Sequence, residues 1–252
     1  MPHGDDESPY TRIDSHQHFT HEILPSLLWP ILKRNRFEGS VVVTKAQTVE
    51  DTRWLLDITA EHEFVRGVVG WVDLASDLVG HGLDEWQRHP KFRGVCWSGE
   101  ESAEGIAEVA RRGLTLDVAP NLGAAARIAE RYPDLRIAID HVGRLSLIRS
   151  GFDEWAREIE AVAQAPNVYA KISGLITDAP TQWKADQFQR YARHVLSAFG
   201  VDRTMYGSDW PSYLPVGTWK EALAAFTQAV GANSIQAREQ FLGATAIRFY
   251  RL

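Results

Sequence analysis

The chain of 252 residues is poor in cysteine, in runs of like charge and in long apolar stretches. Its one cysteine, Cys96, cannot form an internal disulfide, which suits a reducing cytoplasm. No apolar run approaches the roughly 18 residues that cross a bilayer, so no membrane partner is expected. Basic and acidic residues number 27 and 33, a net charge of −6, and neither sign gathers into an arm that would take nucleic acid. No linker, repeat or low-complexity segment interrupts the chain. A glycine-rich phosphate turn is missing as well: the first strand runs into "DSHQHFTHE", imidazoles where a nucleotide fold would offer backbone N–H groups. The first eleven residues, "MPHGDDESPYT", have no apolar core, and are expected to be a loose tail rather than a secretion signal.

What is present is ordinary globular composition, 44% hydrophobic and 24% charged. Short β-rich runs alternate with longer helical patterns, eight of each. Strands are expected at Ile13–His18, Ser40–Thr44, Val65–Val72, Phe92–Cys96, Leu114–Val118, Arg136–Ile139, Val168–Ile172 and Arg203–Tyr206. The clearest helices are Val49–His62, Ala103–Arg112, Leu122–Tyr132, Phe152–Gln164, Asp186–Phe199 and Thr218–Val230. The link "LLWPILKRNRFEG" is the weakest helix because Pro30 sits inside it. Eight strand–helix units close into a (β/α)₈ barrel, which single domains of this length often form, so residues 12–252 read as one barrel domain. The terminal "SIQAREQFLGATAIRFYRL" adds helix that packs on the barrel after the eighth strand.

Three histidines, His16, His18 and His21, crowd into the end of the first strand. Strand residues two apart share a face, so His16 and His18 project together, with Asp14 in phase a pair lower; His21 falls past the strand as an exposed loop residue. At the C-terminal mouth of a barrel, two neutral imidazoles are either ligands for one metal ion or donors to one substrate oxygen. "RIAIDHVGR" puts Asp140 and His141 after the sixth strand, and "RTMYGSDWP" puts Ser208 and Asp209 after the eighth. Only at the strand ends do residues so distant in sequence converge.

The ordered set "DSHQHF", "DHVGR", "AKISGL" and "GSDWP", together with "GVVGWVDL" and "RFYRL", resembles the amidohydrolase superfamily over nearly the whole chain. Within it the chain is similar to the amidohydrolase-2, or fuconolactonase-like, branch of sugar-lactone and pyrone-lactone hydrolases. The resemblance implies a (β/α)₈ barrel and catalytic roles for His16, His18, His141 and Asp209, the same four forming the candidate metal ligands. It implies one divalent cation, zinc first, or none, because the fourth and fifth strands end "GVCW" and "LDVAP", without the carboxylated lysine and histidine of binuclear members. Where fuconolactonase-like proteins carry an Arg-His pair, this chain has Cys96 and Trp97.

The mechanism expected is hydrolysis of a lactone: Asp209 takes a proton from water while His16, His18 and His141 polarise the carbonyl, directly or through one ion. Burial among neutral donors would raise the Asp209 pKa, and a nearby cation would lower it. Candidate substrate contacts are Trp71, Trp97 and Trp210, whose flat rings suit a sugar or pyrone, and Arg144 and Lys171, which suit a carboxylate or hydroxyl; Ser173 is in phase with Lys171. Lys171 reads equally as a buried ion-pair member, and Cys96 as a packing residue rather than a nucleophile. The alternatives are a zinc-dependent non-oxidative decarboxylase of an aromatic or muconate-type acid, marked by CO₂ release, and a non-catalytic sugar-acid binding protein, marked by binding without turnover. The partner expected in each case is a small molecule; a homo-oligomer is compatible with the sequence.

Overall fold

The computed structural model describes residues 10–98, 102–119, 121–143, 151–177, 182–229 and 234–252. Among them eight parallel strands pair in chain order, β1 (Ile13–Gln17), β2 (Gly39–Val43), β3 (Val65–Gly70), β4 (Phe92–Trp97), β5 (Thr115–Val118), β6 (Arg136–Ile139), β7 (Val168–Ile172) and β8 (Thr204–Tyr206). The sheet closes on itself where Gln17 bridges Trp210, the Asp209 N–H donates to the His16 carbonyl at 2.9 Å and the His18 N–H donates to the Trp210 carbonyl at 2.8 Å. The (β/α)₈ barrel expected from the alternation is therefore the fold.

Helices cover the outside: α1 (Pro25–Arg34), α2 (Val49–Thr59), α3 (Val79–Trp86), α4 (Ala103–Arg111), α5 (Leu122–Arg131), α6 (Phe152–Ala163), α7 (Ala185–Phe199) and α8 (Trp219–Ala229). Local chemistry sets several starts. Thr48, Ser102 and Asn121 each accept the N–H three residues on, satisfying a backbone donor the helix cannot. The link containing Pro30 is helical after all: Pro25 occupies its first turn, Pro30 faces solvent, and Leu28 and Leu32, both fully buried, hold the inner face. The sequence hid α3 behind Gly80 and Gly82, although Val79, Leu83 and Trp86 keep helical spacing on its buried face.

The core has two layers. Strand residues facing outward pack against the helices, and Val41, Val43, Val69, Ala138 and Met205 fill the barrel itself. The C-terminal segment does more than pack on the barrel. A short helix α9 (Ile235–Glu239), a π turn (Gln240–Ala244) and α10 (Thr245–Tyr250) carry Phe249 and Tyr250 into the interior cluster. Arg136, at the start of β6, donates to the Phe249 carbonyl, so the segment stoppers the end of the barrel opposite the strand C-termini. Of the eleven residues expected to be a loose tail, Tyr10 is buried and Thr11 donates to Glu38, while residues 1–9 lie outside the described residues. Among the described residues no helix is long and apolar enough to cross a membrane.

Candidate active site

At the mouth formed by the strand C-termini lies a cavity of about 400 Å³ lined by His16, His18, Asp140, His141 and Asp209, with Trp71 on one wall. One ligand atom each from His16, His18, His141 and Asp209 falls within 4.8 Å of all the others. The four residues expected to converge do so. His16 Nε2 lies 3.3 Å from His18 Nε2, which lies 3.3 Å from Asp209 Oδ1. The His16 and His141 rings meet edge to face at 4.5 Å.

Backbone geometry aims these groups. His141 and Asp209 have φ of 52° and 61°, the left-handed region that non-glycine residues seldom occupy, and each turns the chain sharply as it leaves its strand. Gly174, with φ of 65°, is required where it stands, since a Cβ there would fall 2.4 Å from His141 Nδ1. Gly207 leaves similar room, its missing Cβ lying 2.7 Å from that of His16.

Each imidazole is anchored from behind. His18 Nδ1 donates to the Val43 carbonyl at 2.7 Å, and His141 Nδ1 lies 3.0 Å from Ser173 Oγ. His16 Nδ1 faces Lys171 Nζ at 3.1 Å and Asp140 Oδ1 at 3.3 Å. Burial lowers the His16 pKa to about 3, with Asp140 opposing the shift and Lys171 adding to it, so this ring is neutral at ordinary pH. Burial pushes the Asp209 carboxyl up, but His141 and His18 beside it prevail and hold it well below the usual carboxylate range. Of the two directions open to Asp209, the structure takes the lower. Its Oδ2 also accepts the Thr177 hydroxyl at 2.5 Å.

The outer candidates divide. Trp71 lines the cavity. Trp97 and Trp210 do not: both are buried in the outer core, where Trp210 packs edge-on against Phe19. The pleat explains Trp97, since Cys96 takes the inward position on β4 and lines the cavity in its place. Burial pushes the Cys96 thiol well up, in keeping with an unreactive packing residue. Lys171, expected as a substrate contact, is instead fully buried beneath the cavity, on Asp117 Oδ2 at 2.6 Å and Asp140 Oδ1 at 2.9 Å. Ser173 serves His141 rather than the cavity. Asp14 is out of phase with His16, because β1 shifts register after it; its Oδ1 accepts the Ser208 N–H at 2.8 Å. His21 is exposed, its ring against Trp54. Arg144 lies outside the described residues. Asp140, which the sequence placed beside His141, lines the cavity as well, whereas Thr177, five residues past β7, and the rim residues Lys45, Gln47, Ser98 and Ser212 escaped the sequence reading because no spacing signal marks them.

The chain is similar to known proteins. The family profile described as Amidohydrolase matches residues 13–252. The chain belongs to the amidohydrolase family. An L-fucono-1,5-lactonase from Burkholderia ambifaria is 32% identical over 277 aligned positions, covering 96% of each chain. A second L-fucono-1,5-lactonase, from Burkholderia multivorans, is 26% identical at the same coverage. The crystal structure of an amidohydrolase from Burkholderia multivorans with bound zinc superposes with a TM-score of 0.87 at 25% identity, covering 96% of this chain and 99% of the other.

Would one divalent ion suit this amidohydrolase's own residues? Three imidazoles and a carboxylate are a donor set such ions accept. The 3.3 Å separations match the edge of a tetrahedron drawn about 2.0–2.1 Å from each ligand atom. His18 and His141 are anchored through their far nitrogens, as metal-ligating histidines usually are. The set fits one ion.

Proposed function

We propose that this amidohydrolase opens the ring of a sugar-acid lactone by hydrolysis. The observation that carries the reading is the convergence of His16, His18, His141 and Asp209 on one small cavity, in a chain whose 32%-identical relative is an L-fucono-1,5-lactonase. The cavity, about 400 Å³, is near the small end of the roughly 300–1,000 Å³ that ligand sites occupy and takes one ring. Lys45, Gln47, Ser98 and Ser212 give its rim a set of hydroxyl, amide and ammonium groups suited to a polyhydroxylated ring, and Trp71 offers a flat face to the ring's C–H edge. Lactonase relatives favour this reading over the decarboxylase and the silent binding protein.

His16, His18, His141 and Asp209 would hold one divalent ion, zinc being the first candidate because the related crystal structure carries it. When bound, such an ion supplies Lewis-acid polarisation of the carbonyl. The chain's own groups do the rest. Asp209, ionised across the working range, accepts a proton from the water whose oxygen attacks the carbonyl carbon, and the Thr177 hydroxyl fixes the carboxylate's orientation. In the metal-free site an imidazole N–H facing the cavity would instead donate to the oxyanion that develops. The ring C–O bond then breaks, its oxygen taking back a proton to become a hydroxyl, and the product is the open hydroxy acid. The single Cys96 fits action in a reducing cytoplasm. A pH-indicator assay over sugar 1,4- and 1,5-lactones, on protein of measured metal content, is expected to show acid release from at least one; no release from any, with or without added zinc, rejects the proposal.

A further inference from the structure

The nitrogen of His16 that faces away from the cavity has two neighbours of opposite character. Lys171 Nζ, 3.1 Å away, can only donate a hydrogen bond, and Asp140 Oδ1, 3.3 Å away, can only accept one. A neutral imidazole carries a single N–H, so the neighbour that engages Nδ1 decides what Nε2 presents to the cavity. If Lys171 donates, Nδ1 is bare and the hydrogen sits on Nε2. If Asp140 accepts, Nδ1 carries the hydrogen and Nε2 offers the lone pair a metal needs.

Two features favour the first arrangement. The Lys171 ammonium has three N–H groups and three acceptors around it, Asp117 Oδ2 at 2.6 Å, Asp140 Oδ1 at 2.9 Å and His16 Nδ1 at 3.1 Å. Releasing His16 would strand a charged donor on a fully buried side chain, which costs the desolvation of that group. Lastly, the trident is held from below. Tyr250 OH donates to Asp117 Oδ2 at 2.7 Å and its ring lies 5.6 Å from Lys171 Nζ, tying the lysine to the stopper of the barrel.

We infer that Lys171 is a positioning residue that holds metal-free His16 as its Nε2–H tautomer, aiming a hydrogen-bond donor into the cavity and opposing metal ligation until Asp140 takes over Nδ1. The buried trio thereby sets the strength of metal uptake, and Lys171 and Asp140 act with opposite sign. That the aimed N–H serves a lactone carbonyl rests on the function proposed above; the tautomer and the metal affinity do not, and both are measured without substrate.

The test uses metal-free full-length protein with ¹⁵N-labelled histidine, the His16 signals assigned by their loss in His16→Gln. Its Nδ1 is expected at the shift of an unprotonated, hydrogen-bond-accepting nitrogen; an Nδ1 carrying the hydrogen overturns the inference. Zinc chloride is then titrated into wild type, Asp140→Asn and the charge-balanced double variant Lys171→Met/Asp117→Asn against a competing chelator. At least tenfold tighter binding by the double variant and at least tenfold weaker binding by Asp140→Asn are expected. Weaker or unchanged binding by a folded double variant is the mark of a merely structural lysine and overturns the assignment. If the double variant does not fold, the wild-type spectrum decides alone.

Discussion

Replacing Asp209 by Asn separates the chemistry of the carboxylate from the shape it fills. Asp209 sits at φ 61°, a left-handed conformation that Asn adopts more readily than most residues, so the backbone turn after β8 survives. The amide oxygen can still accept the Thr177 hydroxyl, now 2.5 Å from Oδ2, and the amide nitrogen can stand where Oδ1 does, now 3.3 Å from His18 Nε2. The Thr177 hydrogen bond persists in kind, so the fold should survive, although the favourable interaction of the charged carboxylate with His141 and His18 is lost. Proton transfer does not survive, because an amide is no base at working pH. Loss of a general base costs about 10²–10⁴ in rate, which at about 1.4 kcal/mol per tenfold is roughly 3–5 kcal/mol of transition-state stabilisation. The assay is lactone opening, followed as kcat and kcat/KM on metal-free and zinc-supplied protein alike, with thermal unfolding measured on the same samples. Asp209→Ala should lose activity equally and stability as well, since a left-handed alanine costs about 1–2 kcal/mol. A folded Asp209→Asn enzyme turning over within tenfold of wild type in both metal states would falsify the base assignment.

Gly174→Ala should both destabilise and disable, because the added carbon meets His141 Nδ1 at 2.4 Å in a backbone conformation with φ of 65°. A loss above about 1 kcal/mol, read as a fall of about 2–4 °C in Tm per kcal/mol, should accompany at least a tenfold fall in kcat; unchanged values of both refute the packing argument. Tyr250→Phe keeps the ring and removes the 2.7 Å hydrogen bond to Asp117, so stability should drop by about 1.5–3 kcal/mol although the residue lies at the far end of the barrel from the cavity. An unaltered denaturant midpoint would show that the bond contributes nothing. The pH dependence of stability should carry the mark of Asp14, whose carboxyl is raised by burial from 3.8 to about 7, Ser208 opposing. The folded group holds its proton to about pH 7 and the unfolded one releases it near 3.8, so this group's contribution falls as pH rises through that interval. Urea midpoints of wild type relative to Asp14→Asn should therefore decline from pH 4.5 to 7.5, and a rising difference contradicts the sign. Trp71→Ala should raise KM for a lactone several-fold more than it lowers kcat, and an unchanged KM removes this ring from the substrate's path.

Much of this was legible because it is local. Period-two runs gave the strands, helical spacing gave most of the helices, and the position of His16, His18, His141 and Asp209 at strand ends marked one mouth of a barrel before any coordinates. Where local signals were diluted, by Gly80 and Gly82 in α3 or by Pro30 in α1, burial of Leu83, Trp86, Leu28 and Leu32 supplied the missing preference.

The amino-acid order by itself determined which residues could meet at the mouth, since strand parity and the closed barrel leave few choices. The tertiary structure alone decided what stands behind them. A single-residue register shift in β1 took Asp14 out of phase with His16, the pleat of β4 turned Cys96 inward and Trp97 outward, and Lys171 was drawn under the site by Asp117, Asp140 and Tyr250. Such outcomes depend on distances between segments more than a hundred residues apart, as Asp117 and Tyr250 are, and no periodicity encodes them.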